Sequence, residues 1–454
     1  SARSSRTGAD PFSLLERGAS APLTLSPPAP SIVVLDLKFI RSHPEVVRAG
    51  AKKKHIEFDL DRLLELDVKA RELGQVVDEL RAEQKASSKK MGKATPEERA
   101  ELLEGQKALK EKLKGLEEEQ GTLKSELDAL LLLVPNVPAD EVPEGGDDQD
   151  NVEIRRVGEP TTFDFEARDH VALSEAQDWL DIIRGARLAG SRNYVLKGDL
   201  SRLETAVMRF ALDFMVKRGF TPLSVPTLVR TETMVGTGYF PGGEDQAYKT
   251  DERDDLCLVG TAEVPITALH QDEILDLDKL PMQFVSLSSC YRREAGTYGK
   301  DTRGLYRVHQ FQKVEQVVID VADEAKSLEH HHAILQNSED VLQALELPYR
   351  VVNVCGGDLG QPQIQKFDIE TWMPSRENYG ASRFHDFQAR RLNLRYRDKD
   401  KKTRFCHTLN NTVAASTRML LALVENHQTA DGRVRVPEPL RPYLGGDEFL
   451  GRAL

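Results

Sequence analysis

The sequence has few cysteines and no long apolar run, and both shortages narrow the kind of protein that it encodes. Its four cysteines are scattered among 454 residues without a C-x-x-C pair, which argues against a disulfide framework and against a structural zinc site. No apolar stretch approaches the roughly 18 residues that a membrane-spanning helix needs. We therefore expect a soluble protein of the cytoplasm, with no membrane partner.

Positive charge is also scarce, because 62 Lys and Arg residues face 74 Asp and Glu residues and leave a net charge of -12. This balance argues against a protein that coats nucleic acid over its whole surface, so DNA is not an expected partner, and any RNA contact must come from a locally basic patch. Glycine-rich phosphate loops of the G-x-G-x-x-G or G-x-x-x-x-G-K-[ST] type are missing as well. If the protein uses ATP, other groups must hold the phosphates.

Residues 1–33 are rich in Ser, Ala, Pro and Arg and show no apolar periodicity. We predict a disordered N-terminal extension there. An organellar transit segment is an alternative, although the amphipathic pattern of such segments is missing.

Residues 34–134 are predicted to contain a long helical hairpin. From Leu63 to Met91, and again from Leu102 to Leu130, apolar positions recur in alternating steps of three and four, the pattern of a coiled coil. Between the two runs Gly92 breaks the first helix, and Thr95 begins a capping sequence for the second. So short a turn between two helices of about thirty residues each predicts an antiparallel arm.

The tip of this arm is basic. Glu83 is the one acid in a span that carries Arg81, Lys85, Lys89, Lys90 and Lys93. Such a projecting tip can follow a phosphate backbone despite the acidic whole. A solvated coiled-coil face is the alternative.

Residues 135–160 hold prolines, a Gly-Gly pair and many acids, and are predicted to be a linker. Beyond them, in residues 161–454, short strand-like runs are joined by tight Gly-containing loops. This pattern predicts an α+β domain with an antiparallel sheet flanked by helices.

The stretch from Phe284 to Asp320 predicts a β-hairpin with a long loop. By strand alternation Arg292 and Glu294 would share one face of the first strand. Three residues would share a face of the second strand: Phe311, Lys313 and Glu315. Charged side chains at inward positions are costly unless they meet partners or ligands. The hairpin therefore indicates a polar pocket, with a structural ion-pair network as the alternative.

Several segments closely resemble motifs of the seryl-tRNA synthetases. The hairpin segments 291–296, 299–304 and 307–315 resemble motif 2, and residues 260–263 are similar to the serine-binding Thr-x-Glu element. Residues 219–226 resemble motif 1, and residues 410–428 resemble motif 3. The helical hairpin lies where this family has its tRNA-binding arm, so the resemblance extends from about Leu35 to Gly445.

The resemblance implies the class II synthetase fold and the activity of a serine–tRNA ligase. Such an enzyme joins L-serine to AMP at the expense of ATP, with Mg²⁺ as cofactor, and passes the seryl group to tRNA(Ser) and by extension to tRNA(Sec). It also implies a homodimer.

Roles for individual residues follow from the same resemblance. Arg292 would bind the α-phosphate and the serine carboxylate, and Arg418 would hold the distal phosphates; these are the predicted catalytic residues. Guanidinium groups suit this task because they bind phosphoryl oxygens in bidentate fashion. The predicted ATP site comprises Arg292, Glu294, Val308, Phe311 and Arg418. The predicted serine site comprises Thr261, Glu263, Arg292, Glu315, Asn410 and Thr412.

One departure from the family is a missing Glu-x-x-Ser element, which contacts ATP. About four residues are absent between Gly380 and Ala381 by comparison with the family. Either the deletion is real and weakens ATP binding, or the sequence lacks a loop that the protein has; the completeness of the other motifs favours the second. Two further functions are therefore considered: a catalytically silent synthetase-like binding protein, and a tRNA-independent amino-acid:carrier-protein ligase, which would have no long arm.

Overall fold

The structure is a computed structural model, and it describes residues 35–91, 95–251, 253–296, 304–375 and 387–454. The described chain separates into two compact units, the smaller ending at Val137 and the larger beginning at Pro138. The predicted extension over residues 1–33 lies outside the described residues.

The smaller unit is helical. Its helices are α1 (Leu37–Ser42), α2 (Pro44–Lys53), α3 (Leu60–Met91) and α4 (Pro96–Leu131). Helices α3 and α4 form the predicted hairpin, and the 32 residues of α3 span about 48 Å at 1.5 Å per residue. A cluster at the base includes Ile40, Leu63, Leu66 and Leu127. The heptad pattern thus correctly predicted the arm.

The larger unit combines short strands with helices. Its strands are β1 (Val152–Val157), β2 (Leu180–Asp181), β3 (Val195–Leu196), β4 (Thr221–Pro222), β5 (Leu228–Arg230), β6 (Tyr248–Lys249), β7 (Leu256–Leu258), β8 (Ile274–Asp276), β9 (Met282–Tyr291), β10 (Gln310–Asp320), β11 (Tyr349–Asn353), β12 (Phe367–Thr371), β13 (Arg395–Arg397), β14 (Thr403–Phe405), β15 (His407–Ala415), β16 (Val434–Arg435) and β17 (Phe449–Leu450). Its helices are α5 (His170–Gln177), α6 (Ile182–Ala189), α7 (Gly198–Lys217), α8 (Thr231–Gly236), α9 (Glu263–Thr267), α10 (Glu324–Ala344), α11 (Phe387–Arg391) and α12 (Ser416–Asn426).

Strand β1 lies inside the stretch that was predicted to be a linker. It pairs with β11, which also pairs with β12. Val152, Ile154 and Val157 give β1 enough apolar character to join this sheet, although prolines and acids dominate the residues just before it. Residues 135–160 therefore contribute a strand to the larger unit as well as a connection.

The central sheet has the strand order β15-β10-β9-β4. The strands β15, β10 and β9 are antiparallel, as predicted, whereas β4 runs parallel to β9 at one edge. Helix α7 packs against this sheet through apolar residues spaced at three and four, among them Leu203, Val207, Phe210 and Phe214. Helix α7 covers one face of the sheet, and the cavity described below lies on the other face.

A β-bulge determines which side chains of β10 and β15 lie opposite each other. Val314 lies opposite Ala414, but the next residue, Glu315, lies opposite Thr412. Val413 is the extra residue of β15, and such an insertion re-aims the side chains on either side of it. The bulge places the hydroxyl of Thr412 beside the carboxylate of Glu315.

Candidate active site

A cavity of about 670 Å³ opens on the uncovered face of the central sheet. This volume is within the range of sites for small molecules. Nine of the predicted site residues line it together: Glu263, Arg292, Glu294, Val308, Phe311, Glu315, Asn410, Thr412 and Arg418. Thr261 contacts the cavity indirectly, because its hydroxyl accepts a hydrogen bond from Lys313 at 3.2 Å. The structure therefore brings side chains from distant parts of the sequence to one cavity.

The predicted strand face for Arg292 and Glu294 is wrong, although both residues reach the cavity. Strand β9 ends at Tyr291, and Glu294 has a positive φ of 51° in the turn that follows. Arg292 still contacts His309 of the returning segment through hydrogen bonds of 3.0 Å and 2.9 Å, and the chain turns away after it. The alternation argument holds for β10, where Phe311, Lys313 and Glu315 all line the cavity.

Arginine side chains converge at one end of the cavity. Arg292 lies with its guanidinium carbon 5.6 Å from the centre of the Phe311 ring. Burial, together with the positive charges of Arg307 and Arg292, lowers the pKa of Arg418. Arg292 and Arg418, which both line the cavity, favour a polyanionic ligand, because negative charge would relieve the repulsion between these guanidinium groups.

Glu294 is the acid at this end of the cavity. One of its carboxylate oxygens lies 3.3 Å from the guanidinium group of Arg307. Arg307 was absent from the predicted site, since the resemblance supplied no role for it. The feature of the sequence that could have identified Arg307 is its place at the start of the segment 307–315, just before the returning strand.

A second group of cavity residues, here called the acidic end, contains buried acids, a lysine and hydroxyl groups. Lys313 and Glu315 form an ion pair of 2.8 Å, and their side chains are 9% and 2% exposed. The hydroxyl of Thr412 donates to the same carboxylate at 3.0 Å. Lys313 and Glu315 therefore form an ion pair and also line the cavity, so both the polar pocket and the ion-pair network predicted for the hairpin remain compatible with the structure.

Among the described residues, the side chains that donate hydrogen bonds to the Glu263 carboxylate are neutral. The hydroxyl of Tyr239 donates to one carboxylate oxygen at 2.9 Å, and the side-chain amide of Gln388 donates to the other at 2.7 Å. Burial, and after it the nearby charge of Glu315, raises the pKa of Glu263 to about 7. Neither Tyr239 nor Gln388 was predicted, because both lie outside the segments to which the resemblance gave roles.

A buried histidine–glutamate pair holds chain segments beside the arginine end. His170 Nδ1 lies 2.8 Å from the carboxylate of Glu425, and His170 Nε2 accepts the backbone N–H of Leu305 at 3.4 Å. The hydroxyl and backbone N–H of Ser375 also donate to Glu425. A side chain at Gly304 would collide with the His170 ring. This pair therefore connects helices α5 and α12 to Leu305 and to Ser375.

The basic residues at the tip of the arm differ in their contacts. Arg81 is paired with Glu117 of the facing helix at 2.8 Å, so part of its charge is neutralised. Lys85, Lys89 and Lys90 are exposed. Lys93 lies outside the described residues, as do residues 376–386 around the missing Glu-x-x-Ser element and residues 297–303 of the motif 2 loop.

Two further properties of the described residues bear on ligands and environment. Within the five described ranges, no group of three or more His, Cys, Asp or Glu residues is arranged to hold a metal ion. No helix in the same ranges is long and apolar enough to cross a membrane.

Comparison with family models matches both units. Residues 34–138 match the seryl-tRNA synthetase N-terminal domain, and residues 247–427 match the class II core domain of the tRNA synthetases for G, H, P, S and T.

Similarity to individual proteins extends over nearly the whole chain. The serine–tRNA ligase of Deinococcus radiodurans is 51% identical over 92% of this chain and 99% of its own length. The corresponding ligase of Thermomicrobium roseum is 43% identical over 92% of this chain and 95% of its own. The crystal structure of seryl-tRNA synthetase from Pyrococcus horikoshii complexed with ATP aligns with a TM-score of 0.85 at 38% identity, covering 92% of this chain and all of that one. With such identity over both units, the chain belongs to the seryl-tRNA synthetase family.

Proposed function

We propose that this chain is a serine–tRNA ligase that activates L-serine with ATP and transfers the seryl group to the 3′ end of tRNA(Ser). In the first step a serine carboxylate oxygen bonds to the α-phosphorus of ATP, and the bond to pyrophosphate breaks. In the second step a ribose hydroxyl of the tRNA attacks the seryl carbonyl, and AMP leaves. The observation that carries the proposal is that Arg292 and Arg418 line the same cavity as the buried acids Glu263 and Glu315.

The arginine end fits ATP. Arg292 would contact both the α-phosphate and the serine carboxylate, and Arg418 would hold the distal phosphates. As the carboxylate attacks, negative charge grows on the phosphoryl oxygens and on the leaving pyrophosphate, and fixed guanidinium groups stabilise it. Val308 and Phe311 would pack on the adenine, and Glu294 would position the nucleotide. No general base is needed, because the serine carboxylate is already ionised.

The acidic end fits serine. Glu263 would accept the serine ammonium group, with Thr261 held beside it through Lys313. Glu315 and Thr412 would bind the serine hydroxyl, and Asn410 completes this part of the wall. A site that hydrogen-bonds a substrate hydroxyl rejects an analogue without it, because buried polar groups are then left unpaired. Alanine should therefore be a poor substrate.

Mg²⁺ is the expected cofactor, and the residues fit its usual mode of binding. Mg²⁺ is commonly held by one or two carboxylates together with substrate phosphates, without an all-protein cage. Glu294 is a carboxylate at the arginine end, and the described residues form no such cage. The ion would neutralise phosphate charge when ATP is bound.

The arm, the oligomeric state and the compartment complete the proposal. Lys85, Lys89 and Lys90, with Lys93 and Arg81, would contact the tRNA backbone, and the same contacts would serve tRNA(Sec). A homodimer is expected from the resemblance of residues 219–226 to motif 1, the dimer-interface helix and strand of class II synthetases. All four cysteines are free, which suits the reducing cytoplasm.

The two alternative functions are less well supported. A carrier-protein ligase would have no long arm, whereas helices α3 and α4 have 32 and 36 residues. A catalytically silent binding protein has no need for nine matched side chains around one cavity. The missing Glu-x-x-Ser element is the feature that keeps the silent protein under consideration.

Serine-dependent exchange of pyrophosphate into ATP tests the proposal. We expect robust exchange with serine and little with threonine or alanine. Arg292→Lys should lower the rate about 100-fold, because lysine does not reproduce a bidentate guanidinium contact. The matched control is Arg253→Lys, at an exposed arginine paired with Asp251, which should behave as wild type. No exchange with serine at any ATP concentration would exclude the catalytic proposal.

A further inference from the structure

The clearest unexplained feature of the cavity is the pair of neutral donors on Glu263. This carboxylate is 4% exposed, and a buried carboxylate ordinarily takes an arginine or lysine as its partner. Here a phenol and an amide fill the two positions instead, at 2.9 Å and 2.7 Å. These two donors bring no positive charge of their own, so the carboxylate remains available to a cationic group of the substrate.

The orientation of the Gln388 amide is fixed by its other contacts. Its nitrogen donates to the backbone carbonyl of Thr237 at 3.1 Å, and a carbonyl can only accept. Its oxygen accepts the hydroxyl hydrogen of Thr408 at 2.8 Å. Gln388 and Thr408 are both 0% exposed. The amide nitrogen is therefore directed at Glu263 by contacts from the segment after α8 and from β15.

The charged surroundings of Glu263 come from several elements. Glu315 on β10 raises the pKa of Glu263, after burial itself, while the charge of Lys313 on β10 and the two hydrogen bonds lower it. Tyr239 is a weaker acid than usual, because burial and then the charge of Glu263 raise its pKa well above the ordinary value. Tyr239 thus stays a donor over the whole pH range in which the enzyme can be assayed.

We propose that Tyr239 and Gln388 are positioning residues that hold Glu263 ionised and correctly aimed for the serine ammonium group. This inference rests on the proposed function, and specifically on the role of Glu263 in binding serine. Tyr239 and Gln388 act through Glu263 and do not take part in the reaction themselves. Their removal should weaken serine binding near neutral pH and leave ATP binding and the chemical step largely unchanged.

The test is the pH dependence of kcat/KM for serine, measured by pyrophosphate exchange between pH 6 and 8.5 with Tyr239→Phe and Gln388→Met. For wild type, kcat/KM should rise with pH through about 7, because the carboxylate must lose its proton to bind the ammonium group. In Tyr239→Phe the inflection should move up by about one pH unit, and KM for serine at pH 7 should rise about fivefold. The KM for ATP and kcat at saturating serine should stay within about twofold.

The matched control is Tyr443→Phe. The Tyr443 hydroxyl also donates to a carboxylate, that of Asp213 at 3.1 Å, but the pair does not line the cavity. This variant should keep the wild-type inflection. An unchanged inflection in both Tyr239→Phe and Gln388→Met would overturn the inference, as would a loss of kcat alone.

A second measurement does not depend on activity. The pKa of Glu263 is higher in the folded protein than the ordinary value of 4.5, so the folded state binds more protons and stability falls as pH rises through this window. The melting temperature of wild type should therefore drop relative to Glu263→Gln as pH rises from about 4.5 to about 7. In Tyr239→Phe the melting temperature should continue to fall, relative to Glu263→Gln, up to a higher pH than in wild type. If this shift is seen but wild type shows no exchange with serine, the proposed function fails and the inference about Glu263 ionisation stands; an absent shift refutes the inference.

Discussion

The ion pair between Lys313 and Glu315 offers a sharp test of how the site is stabilised. Its side chains are 9% and 2% exposed and 2.8 Å apart. Replacing Lys313 by methionine keeps most of the side-chain volume but leaves the carboxylate of Glu315 buried without its cation. Removing one partner of a buried pair typically costs about 3–5 kcal/mol. We expect a loss near the lower figure, because Thr412 still donates to the carboxylate.

A second substitution separates lost charge compensation from lost packing. The double variant Lys313→Met/Glu315→Gln removes the uncompensated charge and keeps an oxygen that can accept from Thr412. It should be more stable than Lys313→Met alone, since pairs in direct contact give coupling energies of about 0.5–3 kcal/mol. The control Lys279→Met breaks an exposed pair with Asp276 and should change stability little.

The assay is urea unfolding followed by tryptophan fluorescence. Both tryptophans, Trp179 and Trp372, belong to the larger unit, so the signal reports the unit that contains the ion pair. The reasoning is refuted if the double variant is no more stable than Lys313→Met, because the cost would then come from packing.

Three further predictions follow from other contacts. His170→Ala should raise the KM for ATP several-fold more than the KM for serine, because the ring supports Leu305 beside the arginine end; equal increases would refute this role. Thr412→Val should narrow the preference for serine over alanine in pyrophosphate exchange by about tenfold, since one hydrogen bond to the serine hydroxyl is lost; an unchanged preference would exclude that contact. Reversing the charges of Lys85, Lys89 and Lys90 should leave exchange intact and reduce tRNA aminoacylation, and a matching loss of both activities would contradict the assignment of the arm.

The sequence was most informative where the spacing of residues within one helix or strand was enough to predict the structure. Heptad spacing alone predicted the arm, and the alternation of Phe311, Lys313 and Glu315 predicted one face of β10. The direction of β4 was not predictable in this way, because a two-residue strand has no measurable periodicity. For Arg292 and Glu294 the alternation rule failed, since the chain had already left the strand.

Prediction from the sequence was also limited by contacts between segments that lie far apart in the chain. Tyr239 and Gln388 are 149 positions apart, and both donate a hydrogen bond to Glu263. Nothing local marks either residue as part of a site, because a lone tyrosine or glutamine is compatible with many buried environments. Resemblance identified the residues expected to touch substrates, and the structure was needed to find those that hold them in place.

The unequal packing along the arm has a mechanical consequence. Apolar burial is concentrated at the base, and farther out Val77 and Leu113 are buried while charged contacts such as Arg81–Glu117 join the two helices. Exposed ion pairs weaken as salt rises, whereas apolar contacts do not. The outer turns should therefore exchange their amide hydrogens faster than the inner turns, and the difference should grow with ionic strength. The arm would then be rigid at its base and more easily bent at its tip.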